Sequence, residues 1–141
     1  MSKAKKPKAK PLVWLDRSLL TSPYCYSLCL NEMSFHAELK RLKLSSSKWP
    51  DFQKNSACGA TIHFFENNEN NGKCAIIALS ETSKKYELEQ IYAILVHEAV
   101  HLWQEICDDI GEKFPASEQE AYAIQRISQS LMYSYKEQTK K

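Results

Sequence analysis

Residues 88–106 contain neither proline nor glycine, and Leu88, Ile91, Leu95, Ala99, Leu102 and Ile106 recur along them at helical spacing. Such a run folds as a long helix whose apolar stripe has to be covered by another layer of the molecule. His97-Glu98-Ala99-Val100-His101 stands inside it. Residues four apart share a helix face, with Cβ atoms about 6 Å apart, so both imidazoles can reach one metal ion. Glu98 lies roughly 100° further round. It is poorly placed to ligate, but it can reach a water beside the metal and take its proton, which is the work of a general base. The two histidines lie at the edge of the stripe, where a cleft can reach the metal while the stripe packs on a sheet.

A catalytic zinc (Zn2+) takes three protein ligands and keeps one position open, so the pair is incomplete by itself. Glu105 and Asp108 share the histidine face. Glu105, however, only extends the line of the pair, and Asp108 lies about 10 Å beyond His101 at ~1.5 Å per residue. The third ligand is therefore expected from an element that folds back. Beyond the turn at Gly111 and Pro115, a last helix starts at Ser117 and carries Ile124, Ile127 and Leu131 on one face to about residue 135. Glu120 aligns with that inner face and Glu118 points more nearly outward. Ser117-x-x-Glu120 also has the spacing of a capping box, so Glu120 is read either as a ligand or as a helix-start residue. The competing account of the histidine pair itself is an ordinary helix with ordinary histidines.

The chain ahead of the motif reads as a small sheet with one helix. Residues 12–20 are irregular or a short helix, and 24–30 suit a strand by their aromatic and apolar content. Asn31 or Ser34 caps a helix reaching about residue 44, with Phe35, Leu39 and Leu42 at helical spacing and Ser45, Ser46 and Ser47 ending it. Residues 48–59, with Trp49-Pro50, read as a loop. Strands over 60–65 and 74–79 flank a segment rich in asparagine, with Gly72, and pair most simply as a hairpin. The second of them is apolar on both faces and so belongs inside a sheet covered on both sides, or at least against a helix. The motif helix is expected over 86–109, after a polar segment 80–85. His36 and His63 are read as structural residues, and Cys107, rotated away from the histidines, as a packed thiol.

At 141 residues the chain is sized for one domain over 12–141, preceded by a basic tail over 1–11. That tail holds five lysines, Pro7 and Pro11 and is read as disordered. Setting those five charges aside from a total of +2 leaves −3 on the remainder, so any contact with nucleic acid belongs to the tail alone. The longest apolar run, 91–96, is far short of the roughly 20 residues that span a bilayer, and the N-terminus lacks the apolar stretch of a signal peptide. Five cysteines, odd in number and without a C-x-x-C pair, favour a reducing cytoplasm.

His97-Glu98-x-x-His101 followed by Glu120-Ala121-Tyr122-Ala123-Ile124-Gln125 resembles the zincin metallopeptidases in their gluzincin arrangement. Ser22-Pro23-Tyr24, Trp49-Pro50, the segment 60–65 and the segment 96–104 further look like small uncharacterised proteins of bacteriophages and prophages, over most of residues 12–135. The resemblance implies zinc at His97, His101 and Glu120, Glu98 as base, and the cytoplasm of a bacterial host. Two departures stand out. Thermolysin-like members carry asparagine before the glutamate ligand and aspartate four residues after it, where this chain has Gln119 and Ile124. That aspartate orients a histidine ligand through its free ring nitrogen. No histidine follows His101, so the group that steadies the oxyanion is unassigned among Tyr122, Arg126 and Tyr133.

These readings combine into an α+β domain: a small sheet of about three strands packed on the HExxH helix, with the C-terminal helix supplying the third ligand. The expected function is zinc-dependent hydrolysis of a peptide bond in a peptide or protein substrate, away from membranes. The alternative is a catalytically inert zinc-binding module for phage assembly or host interaction.

Overall fold

The computed structural model describes residues 8–15, 24–55, 58–67 and 72–141. Most of the basic tail, most of the segment 12–20, and the tip of the hairpin lie outside the described residues. The fold is α+β, with a four-stranded mixed sheet and three helices. In chain order these are β1 (Trp14–Leu15), β2 (Tyr24–Cys29), α1 (Glu32–Arg41), β3 (Ala60–Asn67), β4 (Gly72–Leu79), α2 (Leu88–Ile110) and α3 (Ser117–Gln138). Short 3-10 turns occupy Ser46–Lys48 and Glu81–Lys85.

The sheet runs β1-β2-β4-β3, with β2 parallel to β4 and the other pairs antiparallel. The hairpin expected between the third and fourth strands is present, from Ala60 opposite Leu79 to Asn67 opposite Gly72. β4, apolar on both faces, lies in the interior of the sheet. Ala75, Ile77 and Leu79 face the layer of α2 and α3, while Ile76 and Ala78 face α1 with Phe35, Leu39 and Phe52. Side-chain alternation along one strand thus feeds two cores. The α2 stripe is covered as its spacing requires: Ile91, Leu95, Ala99 and Leu102 are fully buried and Ile106 nearly so. Each large aliphatic side chain there contributes about 1.5–3 kcal/mol of burial.

Three boundaries differ from expectation for local reasons. Trp14–Leu15 is a strand because it pairs antiparallel with Ser27 and Tyr26 of β2, braced by Ser27 Oγ donating to the Val13 carbonyl at 2.8 Å and the Trp14 indole donating to Glu38 at 2.8 Å; all these partners are distant in sequence. α1 stops at Arg41 because Lys43 turns left-handed, with φ 58°. α3 continues to Gln138, whose side-chain amide donates to the Leu28 carbonyl at 2.9 Å and ties the helix end to β2. Asn31 caps α1, accepting from the Ser34 N–H at 2.8 Å, and Gly111, at φ 73°, ends α2.

Among the described residues no helix is long and apolar enough to cross a membrane.

Candidate metal centre and cleft

α2 presents two different surroundings to its three motif residues. Its stripe faces the sheet and α3, which turns His97 and His101 outward, where both are exposed. Glu98, about 100° round, falls between the outward face and the core. Its residue is only 6% exposed.

The two imidazoles meet edge to face, with ring centroids 4.7 Å apart and Nε2 atoms 3.1 Å apart. Two nitrogens bound to one tetrahedral zinc at about 2.0–2.1 Å stand about 3.4 Å from each other. At 3.1 Å the two nitrogens share a hydrogen bond, so one Nε2 carries a proton, and an ion held by both would take the place of that proton with little movement of the rings. His101 Nδ1 lies 3.1 Å from the Gln104 side-chain oxygen. An amide oxygen only accepts, so Nδ1 carries the proton and His101 presents the lone pair of Nε2, the form that binds metal. Gln104 is the partner of His101 within the helix. Its spacing of three residues from His101, on the same helix face, is the signal that was available.

Beside the pair lies a cleft of about 420 Å³ lined by Cys58, Gly59, Ala60, Ala93, Ile94, His97 and Glu98. Gly59 allows the approach of β3 to α2 here, since a Cβ at that position would sit 2.9 Å from Ile94 Cδ1. Among the described residues the Glu98 carboxyl accepts no hydrogen bond. Burial raises its proton affinity above the ordinary carboxylate range, and the neighbouring His97 and His101 offset part of that rise.

Glu120 is placed elsewhere. Its Oε2 accepts from the buried Trp103 indole at 3.0 Å. At about 100° per residue Trp103 points roughly 120° away from His97 and 160° away from His101. The capping account does not describe Glu120 either, because Ala116, not Ser117, holds the cap position and no side chain caps the helix. Among the described residues no three histidine, cysteine, aspartate or glutamate side chains gather as a metal-holding group. The structure therefore brings together His97, His101 and Glu98, and leaves Glu120 on Trp103. Tyr122 is exposed, and Arg126 and Tyr133 line a different cleft with Leu15.

Comparison with protein-family models, with curated proteins and with solved structures finds no match to this chain. The functional reading rests accordingly on the site itself.

The other histidines sit in packing roles. The ring of His63 lies between Phe35 and Phe65, and its Nε2 donates to the Phe52 carbonyl at 3.1 Å; burial lowers its pKa. His36 stacks on Trp49 at 5.3 Å. Cys107 is a buried thiol whose pKa burial raises.

Proposed function

We propose that this chain is a zinc-dependent peptidase-like hydrolase with His97 and His101 as metal ligands, Glu120 as the third, and Glu98 as general base. The observation that carries the reading is the meeting of the two Nε2 atoms at 3.1 Å beside a buried carboxyl that lines a cleft. Zinc bound there supplies Lewis acidity, acidifying a water and polarising the scissile carbonyl. Glu98 takes the proton of the attacking water and delivers it to the leaving amine, and its burial raises its proton affinity for that task. Gln104 holds His101 in the ligating tautomer. Glu120 would hold the ion only by giving up its bond to the Trp103 indole.

A peptide is the substrate class that suits the cleft's surroundings. β3 is the outer strand of the sheet, and Ala60, its first residue, lines the cleft. The outer edge of such a strand offers N–H and C=O groups to an extended chain, which brings a backbone amide past Glu98.

A second reading is favoured by the Glu120–Trp103 bond: a zinc-binding module without turnover, for assembly or host interaction, in which Glu120 anchors α3 to α2. Zinc per chain, measured by elemental analysis in wild type, His97→Ala and Glu120→Ala, tests the site, and hydrolysis of a broad peptide library tests turnover. The hydrolase reading expects near-stoichiometric zinc in wild type, loss in both variants, and cleavage. Zinc that survives Glu120→Ala with no cleavage supports the inert module. Wild type that stays zinc-free after reloading overturns both readings.

A further inference from the structure

On the opposite side of the sheet from α2, Cys25 of β2 and Cys74 of β4 are direct register partners across a parallel pair. Neighbouring strands lie about 4.8 Å apart, and in-register side chains project to the same face. Both thiols are free and line one cleft of about 230 Å³ with Trp14, Arg41, Leu42, Gly72 and Lys73. Cys25 is half-buried there and Cys74 is buried. Cys29 faces the same side of β2 but lies about 13 Å further along it at ~3.3 Å per residue, and it is fully buried. Cys58 lines the other cleft.

A disulfide needs Cα atoms about 4.4–6.8 Å apart, which the register satisfies, and Cβ atoms about 3.5–4.5 Å apart, which parallel in-register positions meet only by drawing the strands together. The bond such a pair forms is strained, and strained disulfides are readily reduced again. We infer that Cys25 and Cys74 form a reversible dithiol couple, closed to a cross-strand disulfide by a low-molecular-weight disulfide.

The chemistry balances in two exchanges. The Cys25 thiolate, having released its proton to water, attacks one sulfur of the small disulfide and expels the first small thiolate, leaving a mixed disulfide on Cys25. Cys74 then loses its proton and attacks the Cys25 sulfur, expelling the second small thiolate. Both thiolates take up the two protons, so two protein thiols are oxidised and one small disulfide is reduced to two thiols. The more accessible Cys25 is the attacking group. Burial pushes the Cys74 thiol up to about 11, which slows its attack, and the second step proceeds because the register holds the Cys25 mixed disulfide directly beside it.

The test is incubation of the reduced full-length chain with oxidised glutathione, alkylation of the remaining thiols, and peptide mass mapping without reductant. The expected product joins the Cys25 and Cys74 peptides, two hydrogen atoms lighter than the reduced pair, and dithiothreitol reverses it. Cys74→Ser is expected to stall with glutathione on Cys25, and Cys25→Ser to leave Cys74 alkylatable. A wild type that stops at glutathionylated Cys25, pairs either cysteine with Cys58, or shows no oxidation at this pair overturns the inference. The wild-type result stands whatever the folding of the variants.

Discussion

Two buried glutamates, one on each side of the sheet, are held in opposite ways. Glu38, 3% exposed on the α1 side, directs Oε1 at three donors: the Trp14 indole at 2.8 Å, Arg41 Nε at 2.8 Å and Arg41 Nη2. Glu98, 6% exposed on the α2 side, accepts no hydrogen bond among the described residues and lines a cleft. Burying a carboxylate is costly unless it is paired, so each arrangement needs a physical account. Glu38 recovers the cost through its partners and joins β1 to α1. Glu98 has no hydrogen-bond donor among the described residues, and its proton affinity rises, offset only in part by His97 and His101. A buried carboxylate held by several donors is part of the scaffold, whereas one left without donors at a cleft is available for chemistry.

Exchanging the two carboxylates for amides separates these roles, and the largest effect is expected at Glu98. Glu98→Gln should lower peptide hydrolysis by about 10²–10⁴-fold, the usual contribution of a general base, while zinc content and melting temperature stay at or above wild type. An active, zinc-loaded Glu98→Gln protein would dissolve the contrast. Glu38→Gln should do the reverse: urea unfolding should show about 2–3 kcal/mol of lost stability from weakened charge-assisted bonds, with zinc binding retained. Equal stability to wild type would mean that the Trp14 and Arg41 contacts carry no net weight.

Gln104→Met sharpens the α2 side further. It keeps the side-chain length but removes the acceptor for His101 Nδ1, and zinc affinity measured by competition with a chelator should fall about 10–100-fold. An unchanged affinity would show that the tautomer of His101 needs no partner.

The smallest effect belongs to His63, back on the α1 side. Its folded pKa is lowered, so its contribution to stability is fully present above the ordinary value of 6.5 and is lost as pH falls through the folded pKa. Thermal unfolding between pH 7 and pH 5 should show this loss in wild type and less of it in His63→Gln, whose amide can still donate to Phe52. Parallel pH profiles for the two proteins would remove His63 as the cause.

Much of this was legible in the chain because the signals are local. The unbroken stripe from Leu88 to Ile106 specifies a buried helix, the four-residue spacing puts His97 and His101 together, and Gly111 ends the helix. The apolar run of β4 announced an interior strand. Signals between distant residues were not legible. A two-residue β1 has no pattern of its own and exists through Ser27 and Glu38. The cleft is lined by Gly59 and Ile94, residues from separate parts of the chain that meet only in the folded molecule. The bond between Glu120 and Trp103 has no signature in the chain, because an indole 17 positions away shares no local spacing with it.

The sequence by itself determined the longer elements and the histidine pair, since helical and strand periodicities act over a few residues and are set by side-chain order alone. Only the tertiary structure decided that β2 lies parallel to β4, that Cys25 stands beside Cys74, that Glu38 is paired while Glu98 is not, and that Glu120 bonds Trp103. Those outcomes depend on which faces of different elements are buried against each other, and burial is a property of the assembled chain.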